Sequence, residues 1–219
     1  MKRNQSGFTL IEIAIVLVII GLLLGGVLKG QELINSAKVK NLAGDFKNIP
    51  VFIYGYQDKY KALPGDDASV ATHVTGGTIC TPAAVNLCTT NNGIIDGAWN
   101  ATAITSESFV FWQHVRLGGF APGSTDTTSA NYLPKNAAGG TIGVTNVANT
   151  AITGLTGSYI ICSDAIAGKF AKQLDTILDD GNTATGSMMV TAAGTATGGT
   201  PIATVNIVDD TPYLVCMGV

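Results

Sequence analysis

Few side chains in this sequence are suited to chemistry. His73 and His114 are its only histidines, and neither stands at a spacing from cysteines or carboxylates that would hold zinc or complete a nucleophilic triad. No nucleophile elbow, phosphate loop or zincin helix occurs, so the sequence predicts no enzyme. Asp66, Asp67, Asn91, Asn92 and Asp96 offer the oxygen atoms that a calcium ion takes. They lack the alternating acidic spacing and the closing Glu of a calcium loop, and Asx and Gly residues of this kind also simply build turns. Calcium is therefore the one candidate cofactor, with Asp66, Asp67, Asn91 and Asp96 as its candidate ligands. The most unusual ionisable group is Glu12, which sits inside an apolar run. An acid at membrane depth costs of the order of 2.5–3.5 kcal/mol, so it marks a functional residue by default.

The element that positions Glu12 extends from Phe8 to Leu28 and is close to the roughly 20 residues needed to cross a bilayer core. No ionisable or strongly polar side chain follows Glu12 until Lys29. A soluble core helix would turn a polar face to water, and this one has none. A secretory signal would end in a small-x-small cleavage site, which Lys29-Gly30-Gln31-Glu32 does not supply, although Leu24-Gly25-Gly26 offers an alternative cut after Gly26. Lys2 and Arg3 precede the run with no acid among the first seven residues. The positive-inside bias thus expects the N-terminus in the cytoplasm and the rest outside.

Gly7-Phe8-Thr9-Leu10-Ile11-Glu12 after a short basic leader resembles the processing site of type IV pilins and type II secretion pseudopilins. The resemblance implies that a prepilin peptidase removes residues 1–7 by cutting between Gly7 and Phe8, and methylates the new Phe8 amine. It further implies an assembly role for Glu12, pairing with the amine of an incoming subunit. Cutting creates a cation four residues ahead of the carboxylate, in a medium that punishes unpaired charge. Glu12 also favours its own helix N-terminus, where the dipole attracts an anion. The implied partners are further copies of the chain in a helical filament, the prepilin peptidase/methylase, an inner-membrane assembly platform and the membrane. The implied location is the inner membrane as a single pass, N-in and C-out, and after assembly an extracellular pilus or a periplasmic pseudopilus. Pilus subunit and pseudopilin both fit, and a membrane-tethered binding domain that never polymerises is the reading from another class.

The rest of the 219 residues agrees in composition: 46% are hydrophobic and only 12% charged, with a net charge of −3. No basic stripe is present to grip a phosphate backbone, so nucleic acid is not an evident partner. Residues 29–63 continue the helix amphipathically, with Leu42, Phe46, Ile49, Ile53, Tyr56 and Tyr60 on one face, a kink expected at Pro50, and an end at Leu63-Pro64-Gly65. Residues 64–219 form the expected extracytoplasmic domain. Thr105-Ser106-Glu107 reads as the cap and acidic first turn of a helix through Phe109, Trp112 and Val115. The region around Ile142–Val144 reads as a surface loop or weak edge strand. A strand is expected over Ser158–Cys162, then a helix capped by Ser163 with Ile166, Phe170, Leu174 and Ile177 on one face. Further strands are expected at 187–191, 204–208 and 213–217. This order predicts an α+β, pilin-like fold, a long N-terminal helix packed on an antiparallel sheet.

Four cysteines in an extracytoplasmic domain suggest two disulfides, for which three connectivities exist. Cys80 with Cys88 is favoured because they lie close together and flank a turn-rich loop. Cys162 with Cys216 is favoured because both fall in expected strands.

Overall fold

The computed structural model describes residues 10–81 and 88–219. Helix α1 spans Leu10–Tyr60 and continues through Pro50. The ring removes one helical hydrogen bond, and Ile49 and Ile53 on either side are buried, so packing holds the helix across the proline. It closes at Lys61, whose φ of 55° and amide bond to the Gln57 carbonyl (2.8 Å) make a left-handed helix end three residues before Pro64.

Two compact units divide the chain, the first ending at Lys38 and the second running Val39–Val219. In the first, the helical side chains from Leu10 to Leu28 are exposed and almost all apolar. In the second, Val39, Leu42, Ala43, Phe46, Ile49 and Ile53 form one buried stripe at three- and four-residue intervals. That stripe shares a single core with the helix at Glu107–Leu117 and with one face of a sheet.

Helix α2 is a single turn, Val70–His73, and α3 covers Glu107–Leu117. The sheet contains β1 (Ile142–Thr145), β2 (Ile160–Ala167), β3 (Met188–Ala192) and β4 (Pro212–Gly218), all antiparallel in the order β1-β2-β4-β3. Helix α4 (Gly168–Leu178) connects β2 to β3 and packs on β2, β3 and β4. Alternation along the strands sorts the side chains. Ile161, Val190 and Val215 face the main core, while Ile160, Cys162, Leu214 and Cys216 enter a second cluster with Trp99, Ile152 and Leu155.

Several local expectations are corrected. Ser163 does not cap a helix: β2 continues to Ala167 through a bulge between Ser163 and Ile166, with Ala165 at φ 56°. Ile166 therefore reaches the core from a strand, and Ile177 lies largely exposed. Residues 204–208 are not a strand but a 3-10 turn, Thr204–Asn206, which leaves Val205 exposed and buries only Ile207. The β-branched alternation there has no free edge of β3 to pair with, because β4 takes one edge and Thr183 and Ile202 bond Val190 on the other. The stretch at 142–145 is an edge strand, buried at every position.

Candidate functional site

Glu12 stands in the first turn of α1, where the aligned peptide dipoles favour an anion. Of the side chains that follow it, Ile15, Val18, Leu22 and Leu28 are more than half exposed. Among the described residues, α1 is the helix long and apolar enough to cross a membrane. Such a surface can be satisfied by lipid or by other apolar helices. Gly7 and Phe8, the expected cleavage and methylation positions, lie outside the described residues.

The loop carboxylates are engaged as acceptors. Asp66 receives the amides of Asn92 (3.1 Å) and Gly93 (2.8 Å), and its carbonyl receives that of Asn91. Asp96 receives the side-chain amides of Asn92 (2.9 Å) and Asn146 (3.2 Å). Asp67 accepts the Tyr56 hydroxyl and the Ser69 amide and pairs with His73 Nδ1 at 2.7 Å. Asn91, at φ 62°, offers its side-chain oxygen to the Ala68 amide at 3.5 Å. Asp66 and Asp96 thus meet around one turn, whereas Asp67 turns away toward α1 and α2. Among the described residues, the groups of ligand atoms lying within 4.8 Å of one another are Cys80, Cys88 and Glu107, and Asp175, Asp179 and Asp180. The first offers no thiolate, because Cys80 and Cys88 are joined.

Sequence reasoning missed Glu107. It reads only as part of the acidic first turn of a helix, yet it is fully buried and accepts the Asp96 amide at 2.8 Å. Burial pushes its carboxyl up to about 8, and Asp66 and Asp96 add to the effect. Ser106 occupies the cap position, but its hydroxyl lies within hydrogen-bond distance of the Asp96 carbonyl and the Ser108 hydroxyl and accepts no helix amide. The available signal was α3 itself: aromatic or aliphatic at 109–112 and 115, it presents no polar face to water.

His114 serves structure. Its Nδ1 accepts the Gly65 amide (2.9 Å), so Nε2 carries the proton and donates to the Thr78 carbonyl (2.9 Å). Burial lowers its pKa, keeping it neutral. Arg116 donates to the carbonyls of Pro122, Ser124 and Tyr132, which folds the 120–132 loop around one guanidinium.

The disulfides join Cys80 to Cys88 and Cys162 to Cys216. The second bridges directly opposed residues of β2 and β4, with Cα atoms 4.1 Å apart.

A long N-terminal apolar helix and a domain with a four-stranded antiparallel sheet make an α+β, pilin-like architecture. Residues 2–28 match the family described as the prokaryotic N-terminal methylation motif, the prepilin motif of type IV pilins and pseudopilins. That motif marks a substrate of prepilin peptidase, points to a structural subunit, and fits a chain anchored in the inner membrane. No curated protein and no solved structure matches the chain.

Proposed function

We propose that this chain is the structural subunit of a type IV pilus-like helical filament, cut between Gly7 and Phe8 and methylated on Phe8. The observation that carries the reading is the exposed apolar length of α1 with Glu12 in its first turn, within the matched motif. In the membrane the run is satisfied by lipid. In a filament it is satisfied by the same run of neighbouring subunits, whose packing supplies the cohesion. The Phe8 amine of an incoming subunit meets the Glu12 carboxylate of one already assembled, and this pairing sets the axial register. A tether has no use for an acid at that depth, which favours the filament over a non-polymerising anchor.

The test is the N-terminus and filament yield of the chain co-expressed with its peptidase and assembly platform, as wild type and as Glu12→Leu. The expected result is a methylated Phe8 start in both, with filaments lost or defective in the variant alone. Intact Met1, a cut after Gly26, or undiminished filaments in Glu12→Leu would overturn the proposal.

A further inference from the structure

We propose that Asp175, Asp179 and Asp180 bind a calcium ion at the C-terminal end of α4. Each carboxylate contributes an oxygen, and these oxygens lie within 4.8 Å of one another. Oxygens this close can share one cation, and calcium, unlike magnesium, tolerates irregular geometry among its oxygen ligands. The donors are all hard oxygens, with no imidazole or thiolate among them.

The independent observation is Asp175 itself. It is fully buried, and among the described residues neither of its carboxylate oxygens has a hydrogen-bond partner. The Gly181 amide acts on the carboxyl without reaching hydrogen-bond geometry. Buried polar groups are nearly always paired, and a buried carboxylate without a partner is among the costliest groups a fold can carry. A divalent cation held between it and its two neighbours removes that cost.

The helix makes the anionic cluster costlier still. Its C-terminus carries the negative end of the dipole, where Lys or Arg is favoured, and the last turn of α4 holds no basic residue. Lys169 and Lys172 pair instead with Asp210 and Asp209. The two outer acids are held in place: Asp179 Oδ2 accepts the Met188 amide (2.9 Å) and Asp180 Oδ1 that of Asn182 (2.8 Å). Gly186 makes room for the first, since a Cβ there would lie 2.0 Å from Asp179 Oδ2. Both carboxylates keep lone pairs for a metal, and the ion fastens the end of α4 to the start of β3. This inference goes beyond the filament reading and does not depend on it.

The test uses the full chain, oxidised, in detergent and stripped with EDTA. Calcium titration by calorimetry and thermal melting with and without calcium are measured on wild type, Asp175→Asn, Asp179→Asn and Asp180→Asn. The expected result is one calcium per chain, with affinity in the roughly 10⁻⁴–10⁻³ M range of extracellular modules, and a higher melting temperature with calcium. Asp175→Asn and Asp179→Asn lose both responses. Asp180 is exposed, so its variant tests the site with no risk to folding and weakens binding by about tenfold through the lost charge. A double Asp66→Asn, Asp96→Asn variant retains the response. No calcium response in wild type, an unchanged one in Asp180→Asn, or its loss in the Asp66/Asp96 variant would overturn the proposal. Polymerisation is not read, so failure here leaves the filament reading intact.

Discussion

Glu107 Oε2 accepts the backbone N–H of Asp96 at 2.8 Å, so a fully buried acid ties the turn around Asp66 to the start of α3. Burial raises its carboxyl from 4.5 to about 8, which makes the native chain hold a proton that the unfolded chain has released. The stability this contributes is present in full below about 4.5 and is lost as pH rises toward about 8. Glu107→Gln keeps the oxygen acceptor and removes the titration. Urea unfolding across that window should show wild type losing stability relative to the variant by on the order of 2 kcal/mol. His114 acts with the opposite sign: burial lowers its pKa below 6.5, so it costs stability on the acid side in both proteins and cancels in the comparison. Equal pH slopes in the two proteins would show that Glu107 titrates normally.

Gly65 gives its amide to His114 Nδ1, at φ 96°, with its α-carbon pressed against α3. A Cβ there would meet the Glu107 carbonyl oxygen at 2.7 Å. Gly65→Ala must therefore adopt a left-handed conformation and displace backbone as well, and should destabilise by about 2 kcal/mol or more. Thermal melting checks it. A change within a few tenths of a kcal/mol would mean that the turn relaxes freely.

Ala165 poses the reverse case. It holds φ 56° in the β2 bulge, a conformation that costs a residue bearing a Cβ roughly 1–2 kcal/mol. Glycine removes that cost while losing more chain entropy on folding, so Ala165→Gly should stabilise by about 0.5–1 kcal/mol. Destabilisation on denaturant unfolding would show that the methyl group's contacts outweigh the backbone term.

The long helix, its buried stripe and three of the four strands were legible because each rests on periodicity, which local sequence carries directly. Glu12 stands out in the sequence because a single charge in an apolar run has few explanations. Ser163 and residues 204–208 were misread for one shared reason. Cap chemistry and β-branched alternation are necessary for a helix start or a strand, but the bulge at Ala165 and the availability of a pairing partner are decided by distant chain. Glu107, Asp175 and Arg116 were opaque for the same reason. Charged residues on short helices look solvated until the loops that cover them are placed.

Cys162 and Cys216 face each other across β2 and β4, fully buried, at a sequence separation of 54, while Cys80 and Cys88 are only 8 apart. If a disulfide acts mainly by shortening the unfolded chain, its effect grows with the logarithm of the loop it closes. The longer loop should then contribute about 4 kcal/mol and the shorter about 2.5 kcal/mol. Replacing each pair by alanines separates this from packing, because the β2–β4 pair also fills the second cluster beside Leu214 and Trp99. Cys88, by contrast, is only partly buried. Both terms have the same sign, so the Cys162→Ala/Cys216→Ala chain should lose at least about 1.5 kcal/mol more than Cys80→Ala/Cys88→Ala in urea unfolding. An equal loss, or a larger one for the short loop, would mean that the loop bridge holds native structure rather than limiting the unfolded state. Its contact through Cys80 Sγ to Glu107 Oε1 at 3.8 Å would then be the first interaction to examine.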